Sequence, residues 1–423
     1  MVAGSVAVFA AAPVRLRNGD VEYEYRQDSD FYYLTGYEEP ESFCVLLQAN
    51  EKYNYLLFVR PRDKEQETWT GIRSGVEGSI LEYGADMAFP VDRLEEMLTE
   101  LLQNAPVLYY SVNKYPELDQ RVFRILEVVR QKHRQGIYPP STIIDPAAVL
   151  AEMRIIKTPE ELELFQHAVD ISAKAHVAAM QAVAPGKYEY EIQAVLEYVF
   201  RSHGSKRNGY PCIVGSGPNT CILHYNNNDR QMQDGELLLV DAGTEFAYFT
   251  GDITRTYPVN GRFTPEQKAV YEVVLDAQKK AIEQVRPGNS VMHVHDTAVR
   301  ALTDGMISLG LLQGTVDENI ENEHYKKYYL HRTGHWLGID VHDVGRYKLD
   351  NQWRILKSGM VLTVEPGLYI SQEDEHAAFR NIGIRIEDDV LVTAGGPRVL
   401  SASCPKEPKD LEAILGTKPR FTS

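Results

Sequence analysis

Cysteine is scarce in this chain of 423 residues: it has four, and no two of them have the C-x-x-C spacing of a zinc knuckle or a redox dithiol. That pattern is typical of unpaired thiols in a reducing compartment and predicts a cytoplasmic protein. No apolar run approaches the ~18 residues that a membrane-spanning helix needs, so no membrane partner is expected. The apolar stretch 1–14 has no positively charged segment before it, which argues against a secretory signal.

Positive charge is also in deficit. The chain has 44 Lys and Arg against 60 Asp and Glu, a net charge of −16. A surface that acidic repels phosphate backbones, so nucleic acid is not an expected partner. A site that gathers several carboxylates around a cation would contribute to the same surplus. The composition, 43% hydrophobic and 25% charged, is that of an ordinary globular protein and excludes disordered, collagen-like and disulfide-scaffold chains.

The first part of the chain, 1–156, predicts an α/β domain. Runs rich in aromatic and branched residues indicate strands, and apolar residues at helical spacing indicate helices. The predicted strands cover 5–12, 31–34, 43–48, 53–59 and 106–112, and the predicted helices cover 92–103 and 118–132. A turn at 139–142 and a bridging segment at 145–156 then lead into a second domain.

The second domain, 157–423, begins with a repeated pattern. The sequences TPEE at 158–161 and TPEQ at 264–267 both place a capping threonine before a proline in the first helical turn. Each predicts a long helix that ends at a Pro-Gly pair and is followed by a second helix, which suggests an internal duplication. The predicted helices are 159–183, 189–202, 265–285 and 290–309, and the strands of an antiparallel sheet are 236–241, 248–257, 360–364 and 383–393.

Four carboxylates lie in or beside the apolar runs of those predicted strands: Asp241, Asp252, Glu365 and Glu387. An acid in an apolar strand is costly unless it is paired or bound to a metal. One such acid is most often a salt-bridge partner. Four of them, each on its own run, favour a shared site whose mutual repulsion two divalent cations would neutralise.

Three of the twelve histidines, His331, His335 and His342, fall within twelve positions and beside glycines. A single histidine is usually structural, but this density favours a site. A fourth, His224, follows the glycine-rich stretch 215–219. That stretch lacks G-x-x-x-x-G-K-[ST], so a nucleotide site is not expected.

These residues carry a resemblance to a known family. The stretches VDAG (240–243), GDITRT (251–256), GH (334–335), VEPG (364–367) and RIE (385–387) resemble, in order, the metallopeptidases that include methionine aminopeptidase, prolidase and aminopeptidase P. The segments RQDSDFYYLTGY (26–37), HWLG (335–338) and VHD (341–343) are most similar to the bacterial-type aminopeptidase P members. The resemblance covers nearly the whole chain.

The resemblance implies a fold of the α/β and α+β classes, with a creatinase-like N-terminal domain followed by a pita-bread catalytic domain. It also implies two divalent metal ions per subunit and a homodimer or homotetramer. Asp241 would hold one ion, Asp252 and Glu387 would bridge both, and His335 and Glu365 would complete the other. An oxygen-rich set with one imidazole suits Mn²⁺. Related chains usually have a further helix before the first strand, so an altered domain edge or oligomer contact is expected here.

The implied activity is hydrolysis of the first bond of peptides that have proline in the second position. The implied catalytic residues are His342, which would stabilise the oxyanion, Glu365, which would transfer a proton to the leaving nitrogen, and His224. The implied substrate-binding residues are His331, Arg385 and Trp69; each of them could instead be a structural partner. The alternatives are a prolidase, which uses the same ligands, and a non-catalytic peptide-binding protein of this fold, although such proteins typically lose ligands that are present here.

Overall fold

The computed structural model describes residues 1–50, 52 and 54–417. The chain forms two compact units, Met1–Leu150 and Ala151–Ser423. The helix Ala147–Arg154 crosses the division, and the sequence-based boundary after residue 156 lies a short way beyond it. Within the described part of the chain, no helix is long and apolar enough to cross a membrane.

The first unit is built on a mixed sheet with the strand order β6-β5-β4-β1-β7-β8, and β2 and β3 form a separate hairpin. Its strands are β1 (Val6–Ala10), β2 (Leu16–Asn18), β3 (Val21–Glu22), β4 (Phe43–Leu47), β5 (Tyr55–Val59), β6 (Met87–Pro90), β7 (Val107–Tyr109) and β8 (Thr142–Ile144). Its helices are α1 (Ser29–Thr35), α2 (Lys64–Thr70), α3 (Gly75–Leu81), α4 (Leu94–Leu101) and α5 (Pro116–Arg130). Successive side chains of a strand point to opposite faces, so β5 feeds two cores: Leu56 and Phe58 join one, and Leu57 and Val59 join the other.

Most of the elements predicted for this unit are confirmed to within a few residues, but the strand predicted over 31–34 is wrong. Those residues lie in α1, where the Asp28 side chain accepts a hydrogen bond from the Phe31 amide at 3.0 Å and Gly36 ends the helix in a left-handed conformation. The two caps and the burial of Phe31 outweigh the strand preference of the aromatic residues. The predicted strand 53–59 is observed from Tyr55, and Tyr53 lies outside the described residues.

The second unit contains the helix α6 (Ala147–Arg154) in part, and two pairs of long helices. Its other helices are α7 (Pro159–Ala182), α8 (Glu189–Ser202), α9 (Pro265–Ile282), α10 (Val291–Ser308), α11 (Val316–Glu321) and α12 (Pro408–Ile414). Both predicted capping boxes are confirmed: Thr158 and Thr264 each accept a hydrogen bond from the backbone three residues on, at 3.2 Å. The duplication that the matching starts suggest stays a hypothesis.

The strands of this unit form small antiparallel sheets, as predicted. They are β9 (Arg207–Asn208), β10 (Ile213–Ser216), β11 (Leu237–Asp241), β12 (Thr244–Phe246), β13 (Phe249–Thr250), β14 (Thr254–Pro258), β15 (Lys348–Leu349), β16 (Gln352–Trp353), β17 (Val361–Val364), β18 (Gly367–Ile370), β19 (Ile382–Arg385), β20 (Asp388–Thr393) and β21 (Gly396–Val399). The sheets that matter most here have the orders β10-β11-β14 and β17-β20-β21.

A buried ion pair fixes the strand that carries the last acidic motif. The guanidinium of Arg255 on β14 lies 2.7 Å from the carboxylate of Asp388 on β20, and both side chains are fully buried. Lys406 and Ser401 also donate hydrogen bonds to Asp388. These positive and hydrogen-bonded neighbours outweigh the effect of burial and hold the pKa of Asp388 far below its ordinary value. The network therefore ties β14 to the start of β20, directly beside Glu387.

Candidate metal centre

One cavity of about 710 Å³ in the second unit brings together nine of the ten residues that the sequence singled out. They are His224, Asp241, Asp252, His331, His335, His342, Glu365, Arg385 and Glu387. The tenth, Trp69, lies on α2 of the first unit with 82% of its surface exposed.

Strand register explains why acids so far apart in the sequence meet. Asp241 is the last residue of β11 and faces Thr254 on the antiparallel strand β14. Thr254 in turn pairs with Glu387 through an isolated bridge. On the other side, Val364 at the end of β17 pairs with Asp388, which places Glu365 next to Glu387.

The expectation that each acid lies on its own strand is only partly correct. Asp241 does, whereas the predicted strand 248–257 is interrupted around Asp252 and the predicted strand 383–393 is interrupted at Glu387. Glu365 follows β17 directly. A continuous strand would send neighbouring side chains to alternate faces, so the interruptions free these carboxylates to turn toward one point.

Two glycines permit the close backbone contacts that position the ligands. A Cβ on Gly243 would lie 1.6 Å from the carbonyl oxygen of Gly251, so only glycine allows the segment after Asp241 to approach the segment before Asp252. A Cβ on Gly334 would lie 1.9 Å from the carbonyl oxygen of Thr363. That second contact seats His335 beside the end of β17, where its carbonyl accepts a hydrogen bond from the Thr363 amide at 3.0 Å.

Three candidate ligands converge most closely. Ligand atoms of Asp252, His335 and Glu387 all lie within 4.8 Å of one another. The imidazole Nε2 of His335 is 3.4 Å from Asp252 and 3.6 Å from Glu365. Asp241 joins through Tyr210, whose hydroxyl lies within hydrogen-bond distance of both carboxylates, 2.7 Å from Asp241 and 2.5 Å from Asp252.

The electrostatics of this cluster are those of a site that gathers negative charge. Burial raises the pKa of Asp252, and burial together with the charge of Asp252 raises the pKa of Glu387 well above its ordinary value. Burial also raises the pKa of Glu365 to about 7. Burial opposes the charged form of His335, but its hydrogen bond to Asp252 and the charge of Glu365 raise its pKa to about 9. Buried acids that repel one another, with an imidazole among them, fit a divalent cation, which would restore the charged carboxylates and the neutral imidazole.

A second group of side chains forms the wall beside the acids. Arg385 donates to Asp241 at 2.5 Å and to the hydroxyl of Tyr369 at 3.0 Å, and that hydroxyl lies 2.8 Å from Nε2 of His331. Burial, and then the charge of Arg385, lower the pKa of His331 to about 3, so its imidazole is neutral near pH 7. His331 can therefore offer a hydrogen bond or an apolar ring face to a ligand without adding charge.

His342 stands edge-on against His335, with ring centroids 4.4 Å apart. Burial, and then the charge of His335, lower its pKa. The sequence also allows His342 to pair structurally with Asp340 or Asp343. In the structure each of those carboxylates forms an ion pair with Arg154, at 2.7 and 2.6 Å.

Sequence reasoning missed three residues of the site: Tyr210, Thr254 and Tyr369. Tyr210 lies between the carboxylates of Asp241 and Asp252, and the Thr254 hydroxyl donates to Glu387 at 2.5 Å. Thr254 lies inside the GDITRT motif and Tyr369 lies four residues beyond Glu365, and those positions were usable signals. Tyr210 had none, because the chain has 25 tyrosines and this one lies outside the motifs that carry the resemblance.

Comparisons with known proteins agree with this geometry. Residues 163–394 match the model of metallopeptidase family M24, and residues 1–109 match the aminopeptidase P N-terminal domain. The chain is 43% identical to a Xaa-Pro aminopeptidase of Escherichia coli over 98% of this chain and 94% of that protein. It is 34% identical to Xaa-Pro aminopeptidase 3 of Rattus norvegicus over 96% of this chain and 80% of that protein.

Solved structures show the same likeness. The structure of Pseudomonas aeruginosa aminopeptidase PepP superposes with a TM-score of 0.97 at 46% identity, covering 98% of this chain and 94% of that chain. A zinc-substituted Escherichia coli aminopeptidase P in complex with product superposes with a TM-score of 0.95 at 43% identity, covering 98% and 94%.

Proposed function

The chain belongs to metallopeptidase family M24, and from that membership we propose that it is a metal-dependent aminopeptidase that releases the N-terminal residue from peptides with proline in the second position. The creatinase-like N-terminal domain and the pita-bread catalytic domain expected from the sequence are confirmed by the family matches. The observation that carries the proposal is the buried cluster in which Asp252, His335 and Glu387 place ligand atoms within 4.8 Å of one another.

We propose that this cluster holds two divalent ions per subunit, with Mn²⁺ as the ion. Asp241 would bind one ion, Asp252 and Glu387 would bind both, and His335 and Glu365 would bind the other. A ligand set of four carboxylates and one imidazole suits Mn²⁺, whereas structural zinc sites favour thiolate and imidazole ligands. When bound, such ions supply Lewis acidity that activates a water molecule near neutral pH and polarises a carbonyl oxygen.

The remaining roles belong to the side chains of the wall. His342 lies at the open side of the cluster beside His335 and is placed to donate to the oxyanion that forms at the scissile carbonyl. Glu365 transfers a proton to the departing proline nitrogen, which leaves as a secondary amine and must be protonated. His224, which lines the same cavity, borders the scissile bond, and His331 and Arg385 hold the substrate around the proline.

The assay that tests this function compares a Xaa-Pro-Yaa tripeptide with the corresponding Xaa-Pro dipeptide in the presence of Mn²⁺. We expect release of the N-terminal residue from the tripeptide, measured by chromatography of the products, and little cleavage of the dipeptide. A preference for the dipeptide would identify a prolidase instead. If protein that contains metal cleaves neither the tripeptide nor the dipeptide, the result would favour the non-catalytic alternative.

Replacing His342 separates a catalytic role from a structural one. We expect His342→Ala to retain its metal, and we expect its kcat to fall by a factor of about 10²–10³ because one hydrogen-bond donor to the oxyanion is removed. His133→Ala is a matched control, since His133 is an exposed histidine of the first unit, outside the cavity. Metal content and kcat are measured on the same samples. Normal kcat with normal metal content would contradict the proposed role, and loss of metal would make His342 a ligand or a support for one.

Three further expectations stay predictions. The resemblance implies a homodimer or homotetramer, and it implies that Trp69 reaches an active site, either its own or a neighbour's. The cysteine pattern predicts a cytoplasmic location.

A further inference from the structure

Two cations share one indole at the edge of the cavity. The guanidinium of Arg332 lies 5.8 Å from the ring centroid of Trp353, and the ammonium of Lys348 lies 4.4 Å from the same centroid. Arg332 and Lys348 are both exposed, and Trp353 is half-buried. Lys348 and Trp353 face each other in the hairpin formed by β15 and β16, which fixes this part of the arrangement.

Among the described residues neither cation forms an ion pair, although the charge of Arg332 is felt by Asp296, whose pKa burial raises and that charge lowers in part. Arg332 donates only to the sulfur of Met292, at 3.3 Å. Other cations nearby are paired: Arg300 lies 2.8 Å from Asp317, and Lys326 lies 2.6 Å from Glu323. In a chain with a net charge of −16, two like charges that both lie outside an ion pair make a place where an anion gains free energy.

The position of Arg332 indicates which anion. Arg332 and Trp353 both line the cavity of the acid cluster, and Arg332 also lines a second cavity of about 860 Å³. Arg332 follows His331 directly, so their Cα atoms are about 3.8 Å apart. With His331 beside the substrate proline, the carboxylate of the next substrate residue lies within about 7 Å of that proline, which a long arginine side chain can reach.

We propose that Arg332, supported by Trp353 and Lys348, binds the C-terminal carboxylate of short peptide substrates and so favours Xaa-Pro-Yaa tripeptides with a free carboxyl group. This inference rests on the proposed function and adds a substrate preference to it. Trp353 is a positioning residue, because its ring lies within cation–π distance of the guanidinium, whose planar group can make a bidentate contact with a carboxylate. The carboxylate does not react, so the contact contributes to KM and not to kcat.

The test compares one tripeptide with a free C-terminal carboxylate and the same tripeptide amidated at its C-terminus. For the unmodified enzyme with Mn²⁺, we expect kcat/KM to be about five- to tenfold higher for the free acid, and this advantage should shrink as salt is raised. In Arg332→Gln the ratio of the two values should fall to near one through a higher KM for the free acid. Arg332→Lys should retain part of the ratio, because it keeps the charge but not the planar guanidinium that can bind a carboxylate through two hydrogen bonds.

Arg300→Gln is the matched control. It removes the same charge from the wall of the second cavity, but Arg300 is paired with Asp317 and does not line the first. It should therefore keep the preference of the unmodified enzyme. If the ratio of kcat/KM between the free acid and the amide is unchanged in Arg332→Gln, or falls equally in Arg300→Gln, the inference is overturned. Cleavage of both peptides would still uphold the proposed function in that case. Cleavage of neither peptide by the unmodified enzyme overturns the proposed function and the inference with it.

Discussion

Removing bound metal is expected to reduce aminopeptidase activity to background, and adding Mn²⁺ is expected to restore it. The reason is the charge balance of the cavity. Burial and mutual repulsion raise the pKa values of Asp252, Glu365 and Glu387. Among the described residues that line the cavity, Arg385 contacts Asp241 and His335 contacts Asp252, so without metal the four carboxylates have few positively charged neighbours. The metal is removed by chelation and dialysis. Activity on a Xaa-Pro-Yaa peptide and bound metal, determined by mass spectrometry, are then measured on one sample.

Metal should also stabilise the fold, since it binds the native arrangement and not the unfolded chain. At a free concentration of 100 times Kd, the expected gain in the free energy of unfolding is about 2.7 kcal/mol. Thermal unfolding with and without Mn²⁺ measures that gain, and a titration monitored in the same way gives the number of ions. Full activity in verified metal-free protein would contradict the proposed mechanism. A stoichiometry of one ion per subunit would contradict the proposed pair.

Replacing Asp252 by asparagine is expected to lower kcat/KM by more than about 10³. Loss of a residue that only supports a ligand typically costs 10- to 100-fold, and Asp252 is proposed to contact both ions directly. Asparagine keeps the shape and one acceptor oxygen, so the hydrogen bond from Tyr210 can survive while the negative charge is lost. Metal content should fall as well, and both are measured on purified Asp252→Asn.

Thermal unfolding separates this effect from misfolding. Burial raises the pKa of Asp252, so its charged form is unfavourable in the metal-free fold, and Asp252→Asn should be at least as stable as the unmodified protein without metal. The stabilisation by Mn²⁺ should be reduced. Asp276→Asn is the control, because Asp276 is an exposed acid on α9 that pairs with Lys280 at 2.6 Å. Normal turnover by Asp252→Asn would show that the proposed bridging role is wrong.

The predictable features of the fold are the local ones. The starts of α7 and α9 follow from a threonine, a proline and an acid or amide within four residues, and those contacts form whatever the rest of the chain does. The strand predicted over 31–34 failed for a related reason. Aromatic composition was given more weight than the cap at Asp28 and the glycine at position 36, although both signals were present in the sequence.

The candidate site also has features that the sequence predicts and features that depend on the tertiary structure. The identities of the five proposed ligands followed from acids in apolar runs and from a resemblance in their order. Their convergence could not be read from the sequence, because it depends on strand pairing. The bridge between Thr254 and Glu387 joins residues more than a hundred positions apart, and the register of Asp241 with Thr254 and of Val364 with Asp388 brings the other acids to the same place. The spacing of seven between His335 and His342 was equally compatible with the same face and with opposite faces. The structure places both rings in contact.

The sequence by itself determined the family, the ligand candidates and the helix starts, since each depends on residue types at short, fixed spacing. Only the tertiary structure decided which polar groups have partners. Tyr210 proved to lie between two acids, Asp343 proved to pair with Arg154 and Lys157, and Arg332 proved to lie near an indole and outside any ion pair among the described residues. The physical reason is that the pairing of a charge depends on distances of a few ångströms between segments remote in sequence, and strand register and close backbone contacts at glycines such as Gly243 and Gly334 set those distances.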